Sequence, residues 1–395
     1  MRGIERDVII VGAGPAGSIC ASYLAKAGVD VLLLDKEVFP RDKACGDMIT
    51  ESVANHVAAL EAADKLDKMS VFVNQLLMVS SGGNEALVPF ECYGTKRREF
   101  DQLMLETAIS WGAEFRPGHR VVGLVRERGS ICGVRVRSGG VESELRSKIV
   151  IGADGAFSLA AKEAGLMKEN PAAMGIGCSA YFEGVRLDRN IAIGQYSAYG
   201  AVFFDELVAP GYFWVLPSGD GGVLRGYCNV GMIVDYADGS RAGHEDLEER
   251  FRKWLVSSTR ASTMLSNAKQ VTPWRKGKLT YLTQNMDRSA DGLLLIGDAA
   301  SVMQPLRGDG LAAAADSARA AADTAWEALK EKDFSAEFLR ATYLKNPIHM
   351  PAAELRDRLK HRRLIRETLF DAASVDRAIE TIRKDRSVGE RLLRD

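Results

Sequence analysis

Three glycine–acid turns in the 395-residue chain have the residue types needed to hold a phosphate-bearing ligand. The first is Gly12-Ala-Gly14-Pro-Ala16-Gly17, which follows the apolar run Asp7 to Val11 and opens a small-residue segment reaching Ala27. A second apolar run, Val29 to Leu34, then ends in Asp35-Lys36. Strand, glycine turn, helix, strand and acid in that order describe a dinucleotide site. Gly12 permits the tight turn, Gly14 admits a pyrophosphate to the backbone beside Ala16 at the helix start, and Gly17 lets helix and strand pack closely. Asp35 is placed to accept hydrogen bonds from ribose hydroxyls. The other two turns, Asp154-Gly155 and Gly297-Asp298, each follow a buried-type strand, Ile149 to Ile151 and Leu294 to Ile296. A nicotinamide enzyme needs only the first turn, so three separated ones point to a larger, permanently held dinucleotide.

Two further segments carry side chains of interest. Lys43-Ala-Cys45-Gly46-Asp47 lies in a loop after Phe39-Pro40-Arg41, and Tyr212-Phe-Trp214-Val-Leu216-Pro217 lies in a β-rich stretch that also holds Tyr199, Phe203, Phe204 and Tyr227. Walls of that composition suit a long apolar chain better than a substrate anchored by polar groups. Cys45 has no base near it in sequence, so no nucleophile is expected. The histidines, His56, His119, His244, His349 and His361, show no metal-ligand spacing, and no metal site is expected.

The order of the three turns resembles the FAD-dependent superfamily of para-hydroxybenzoate hydroxylase type, over about residues 5 to 345. That resemblance implies FAD as cofactor. It also implies that Gly297-Asp298 holds the ribityl chain, that Asp154 and Gly155 support the pyrophosphate region, and that Arg97 of Arg97-x-x-Phe100-Asp101 reaches the phosphates. Pro305, Gly308 and Gly310, at the start of an alanine-rich helix, would lie against the isoalloxazine, where backbone N–H groups stabilise reduced flavin.

Within the superfamily, Lys43-x-Cys45-Gly46-Asp47 and Tyr212-x-Trp214-x-Leu216-Pro217 resemble the signatures of the geranylgeranyl reductase family. Leu216 stands where that family commonly has Phe. This narrower resemblance implies that Cys45 and Gly46 lie beside the flavin and that Tyr212 and Trp214 line an isoprenoid pocket. The implied activity is saturation of carbon–carbon double bonds of a prenyl chain on a lipid or quinone, by hydride from reduced flavin. A monooxygenase or halogenase on the same scaffold is the alternative. The reductant is NAD(P)H or an electron-donor protein such as ferredoxin, and both stay open.

The elements that must position these residues follow from the pattern. The fold expected is α/β: a Rossmann-type FAD-binding lobe, a β-sheet substrate lobe and a helical C-terminus. The nucleotide lobe is expected from residues 1–69, 97–170 and 286–345, the substrate lobe from 70–96 and 171–285, and the C-terminal region from 346–395. Helix is expected over 50–69, and a hairpin turning at Gly82-Gly83. With 52 Lys+Arg against 53 Asp+Glu, the chain has no broad basic field for nucleic acid. The early apolar run is far shorter than the ~20 residues of a membrane span, so a cytoplasmic protein is expected. From Arg356 to Arg366 there are six basic residues and one acid. That cluster is expected as a solvated helix face or as a weak peripheral contact with anionic lipid on the inner face of the membrane.

Overall fold

The computed structural model describes residues 5–167, 174–187, 197–219, 226–235, 247–280, 287–303, 309–346, 360, 364, 367–369 and 371–394. Its first sheet runs in the order Ser289–Ala290, Leu293–Leu295, Val141–Gly152, Arg6–Val11, Val31–Leu34 and Glu114–Arg116. All neighbours after the first pair are parallel. Strands covered on both faces must be apolar throughout, which is why these runs read as Val-Ile-Ile-Val and Val-Leu-Leu-Leu. Val8, Ile10, Val31 and Leu33 face the helices Pro15–Lys26, Arg97–Ser110 and Gly310–Glu331. Ile9, Val11, Leu32 and Leu34 face the antiparallel meander Arg120–Glu127, Ser130–Ser138 and Val141–Gly152. Alanines along Gly310–Glu331 let that helix approach Pro15–Lys26 closely.

The second sheet runs Lys269–Gln270, Met174–Glu183, Cys228–Asp235, Tyr212–Pro217, Ser197–Phe204, Val71–Ser80, Glu85–Gly94 and Met48–Thr50, with Arg275–Thr280 also pairing to Met174–Glu183. Successive residues of a strand point to opposite faces. Phe213 and Val215 therefore pack into one core, where Phe213 stacks on Trp254 with ring centroids 4.4 Å apart. Tyr212, Trp214 and Leu216 point to the other face, beside Leu76, Met78, Val88 and Val202. Two C-terminal helices cover that second face, Ala372–Lys384 through Val375, Ile379 and Ile382 and Arg386–Arg394 through Val388 and Leu393. A hydrogen bond from Ser80 to Asp376 fixes them to the hairpin.

The expected α/β architecture with a helical C-terminus is thus present. The helix expected over 50–69 is instead the short strand Met48–Thr50 followed by two helices, Glu51–Ala59 and Ala63–Met69. Glu61, in the left-handed region at φ 64, breaks the helical path between them. The hairpin forms as expected, with strands Val71–Ser80 and Glu85–Gly94. Among the described residues no helix is long and apolar enough to cross a membrane. The basic cluster Arg356–Arg366 lies outside the described residues except for Lys360 and Leu364.

The Phe213–Trp254 stack joins the second sheet to the helix Leu247–Ser257 on the face away from Trp214. Phe213→Ala should cost about 3–5 kcal/mol in urea-induced unfolding, as the loss of a fully buried ring does. A cost below about 1 kcal/mol would mean that this core closes over the gap.

Candidate functional site

The glycine turn is fixed by close backbone approach. A Cβ at Gly12, which sits at φ +103, would strike the Ala153 carbonyl, so the first turn and the Asp154 turn are packed directly against each other. A Cβ at Gly17 would strike the Gly12 carbonyl. Gly14 is different: a Cβ there would meet only the Arg41 guanidinium, at 3.3 Å. That leaves open space above the turn, at the positive end of the helix Pro15–Lys26 and under a cation, which is the cradle a pyrophosphate needs.

Asp35 braces this cradle. Its Oδ2 accepts from the Ala13 amide at 2.7 Å and its Oδ1 from the Glu37 amide at 2.8 Å. Lys36 beside it is exposed. Asp154 accepts from the Ser158 hydroxyl and from the Leu159 and Ala160 amides at 2.7 and 3.1 Å, so it caps the helix Leu159–Glu163 and shapes the turn rather than pointing free. Gly155, at φ +82, is open to the cleft. That cleft continues past Ser158, Lys278 and Thr280 to Asp298, which Lys43 approaches at 3.5 Å. Gly297 packs over Ala16, and Gly310 lies beside Met303 and Asp298. The Asp154-Gly155 and Gly297-Asp298 turns therefore line one cleft, and the first turn packs against both through Gly12 and Ala16. Pro305 and Gly308 lie outside the described residues.

Arg97 is buried and held to Asp101 through two hydrogen bonds, at 2.7 and 3.0 Å. Burial works against its charge, but Asp101 and Cys45 outweigh it and keep the guanidinium well above its ordinary value. The cation beside Gly14 is Arg41, which also lies 2.9 Å from Asp101. Arg41 was missed in the sequence, where Phe39-Pro40-Arg41 carries no spacing that ties it to Gly14.

The loop from Lys43 to Asp47 lies on the same face of the second sheet as Trp214. The Trp214 indole donates to Asn229 Oδ1 at 2.8 Å, and Asn229 Nδ2 donates to the Cys45 carbonyl at 2.7 Å. Ser179 donates to the same carbonyl at 3.3 Å. A Cβ at Gly231, the cross-strand partner of Trp214, would strike both the Cys178 carbonyl and the edge of the indole, so glycine makes room for both. A Cβ on Gly46 would touch Leu216 at 3.3 Å, which places the loop against the Tyr212–Trp214–Leu216 row. Tyr212 lies at the far end of that row, with its ring centroid 6.1 Å from that of Trp214.

Asp47 was not singled out as a site residue in the sequence. It is fully buried at φ +66 and accepts from the Ser218 hydroxyl at 2.8 Å. Burial pushes its carboxyl up to about 6, against the opposing effect of Tyr181, Asn229, Ser218 and the charge of Arg97. Burial likewise pushes the Tyr227 phenol up to about 12 and Tyr181 higher still. Asn229, Ser218, Ser179 and Tyr181 were also missed, since each meets the loop only through the sheet.

A family model described as an FAD binding domain matches residues 5–333. The chain is 31% identical to digeranylgeranylglycerophospholipid reductase 2 of Methanopyrus kandleri, an alignment covering 85% of this chain and 81% of that protein. It is 28% identical to digeranylgeranylglycerophospholipid reductase 1 of Methanococcoides burtonii, over 94% of this chain and 86% of that one. Among solved structures, a geranylgeranyl bacteriochlorophyll reductase-like protein from Thermoplasma acidophilum superposes with a TM-score of 0.83 at 22% identity, over 97% of this chain and 93% of that one. A flavin-dependent brominase superposes with a TM-score of 0.72 at 20% identity, over 96% and 100%. These two likenesses concern the fold.

The open space at Gly14 gives a direct test of the cradle. Gly14→Ala should leave the thermal midpoint of the flavin-free protein within ~2 °C and weaken FAD binding roughly tenfold or more, because the added methyl occupies the approach to the turn. Flavin fluorescence titration reads the affinity, and unchanged affinity would place the pyrophosphate elsewhere.

Proposed function

The chain belongs to the FAD-binding family whose model it matches, and from that premise we propose that it is a reductase saturating carbon–carbon double bonds of a prenyl chain carried on a lipid. The observation that carries this reading is the hydrogen-bonded link from Trp214 through Asn229 to Cys45. It ties an apolar sheet face to a loop that also reaches Asp298, through Lys43.

The residues fit FAD. The amides at Gly14 to Gly17 and the Arg41 guanidinium would take the pyrophosphate, with Asp35 holding the turn in shape. Asp298 and Gly297 would take the ribityl chain. Gly310, with Pro305 and Gly308 before it, would meet the ring system, and Asp154 and Gly155 would support the phosphates from the neighbouring turn. Arg97 acts from beneath, anchoring Asp101 beside Arg41. Bound and reduced, FAD would supply the hydride equivalent for one carbon of the double bond, and the other carbon would take a proton.

The rest is done by the protein. Tyr212, Trp214 and Leu216 form a wall that binds an apolar chain and excludes water. Cys45 and Gly46 close the end of that wall where the nucleotide cleft begins, and the Cys45 carbonyl is pinned there by two donors. The C-terminal helices cover the same sheet face, so a long substrate chain would run beneath Ile379 and Ile382. A phenol hydroxylase would need polar groups free to orient a ring, and the Trp214 indole N–H is already committed to Asn229.

The substrate proposed is a prenylated lipid or quinone whose head group stays at the protein surface. The electron donor proposed is NAD(P)H or a reduced carrier protein such as ferredoxin. We place the protein in the cytoplasm, working as a peripheral visitor to the inner membrane face through Arg356–Arg366. The division of the chain into nucleotide, substrate and C-terminal regions at the boundaries given by the sequence is part of the same proposal.

Trp214→Ala tests the pocket. With reduced protein under argon, the variant should keep FAD content within about 20% and slow the reoxidation driven by a geranylgeranyl lipid about tenfold or more, as the chain loses its principal wall. Loss of FAD in proportion to the loss of rate would remove Trp214 from the substrate pocket.

A further inference from the structure

The Cys45 loop is held from one side by a single buried acid. Asp47 is fully buried, its Oδ2 accepts from Ser218 at 2.8 Å, and its backbone carbonyl accepts from the Thr95 amide at 2.9 Å. Ser218 extends the alternation Tyr212, Trp214, Leu216, so the acid sits at the polar end of the apolar row. Cross-strand pairing puts Leu216, Asn229 and Tyr181 abreast, and Trp214, Gly231 and Ser179 abreast. The groups around Asp47 thus stand on one face of three adjacent strands. Asn229 is common to both sets of contacts: it donates to Cys45, accepts from Trp214 and faces Asp47.

We propose that Asp47 is the positioning residue of this site, fixing the Lys43–Asp47 loop on the sheet through Ser218 so that Cys45 and the Trp214 wall keep one relative position. The proposal rests on the prenyl-reductase reading for what that position serves, and on the structure alone for the docking itself. Asp47 acts through its neighbours and is not assigned contact with substrate or cofactor.

The conformation agrees with this role. A non-glycine residue at φ +66 persists only where its surroundings hold it, and Asp and Asn are the side chains that adopt this region most readily. The charged and titratable groups facing it are Arg97 from the helix Arg97–Ser110, Cys45 from its own loop, Tyr181 from the strand Met174–Glu183, and Tyr227 just before the strand Cys228–Asp235. Arg97 is shared with Asp101, so its charge only partly offsets the burial of Asp47. With a carboxyl raised from 3.8 to about 6, the folded protein keeps a proton that the unfolded chain has released across that interval. Stability from this group therefore falls as pH rises from about 4 to about 6, and the loss is complete above that.

Three variants of the FAD-bound protein test the proposal: Asp47→Asn, Asp47→Ala and Ser218→Ala. Trypsin cleavage after Lys43 reads loop docking without reference to activity, and steady-state geranylgeraniol reduction with dithionite as continuous reductant reads KM and kcat. Asp47→Asn keeps an acceptor for Ser218 and tolerates the left-handed backbone. It should cleave within about twofold of the unmodified protein, hold its kcat within about threefold, and lose the fall in stability between pH 4 and 6. Asp47→Ala should cleave about tenfold faster and raise KM about tenfold with FAD retained, and Ser218→Ala should move both about threefold in the same direction. Unchanged cleavage in both Asp47→Ala and Ser218→Ala overturns the proposal. So does an Asp47→Asn variant that loses kcat as fully as Asp47→Ala with KM unmoved, since that marks a proton donor. If cleavage responds as expected while the unmodified protein never reduces geranylgeraniol, the docking role stands and the prenyl-reductase reading falls.

Discussion

The site depends on one side-chain amide. Asn229 takes the Trp214 indole proton on its oxygen and gives a proton to the Cys45 carbonyl from its nitrogen. Trp214 and Asn229 are buried, where a polar group left unpaired costs about 1–3 kcal/mol, so the amide's orientation is set by what it joins. Everything that makes the region useful follows from that bridge. The indole packs against Gly231, and Gly46 of the loop lies against Leu216 and close to the same ring. In the function proposed, a prenyl chain held on such a face would meet the nucleotide cleft where the loop stands.

The two sheets divide the work by the way their strands alternate. In the first, both faces are buried, and the parallel strands end together where Gly12, Ala153 and Gly297 turn back. In the second, Phe213 and Val215 build a structural core around Trp254, while the alternate residues Tyr212, Trp214 and Leu216 form a separate apolar cluster on the other face. The strand Tyr212–Pro217 therefore stabilises the fold with one face and, in the function proposed, lines the pocket with the other. The C-terminal helices complete the second face, which accounts for the covering of an apolar surface that would otherwise meet water.

The nucleotide end was legible because its glycines are forced by contacts within a few residues of backbone or between turns of the same sheet. Gly12 and Gly17 admit no Cβ, and the acids at Asp35, Asp154 and Asp298 stand at strand ends where sequence patterns are strong. What those acids do was less legible: Asp35 and Asp154 spend their oxygens on backbone amides of their own turns. The polar set around Cys45 was not legible at all. Asp47 meets Ser218, and Cys45 meets Asn229, across more than 170 residues of sequence. Only the register of three antiparallel strands brings Tyr181, Asn229 and Leu216 abreast. The break at Glu61 was hidden for a simpler reason, since nothing in its residue type demands a left-handed turn.

The most direct test of the account follows hydrogen from flavin to product. The bound flavin is reduced with dithionite under argon, the excess is removed, and a digeranylgeranyl glycerophospholipid is added while flavin absorbance and lipid mass are followed together. The account predicts reoxidation without oxygen, with two hydrogens gained by the lipid for each flavin reoxidised. A flavin that stays reduced with every prenyl compound, and reoxidises through an oxygenated intermediate only when air enters, would contradict it.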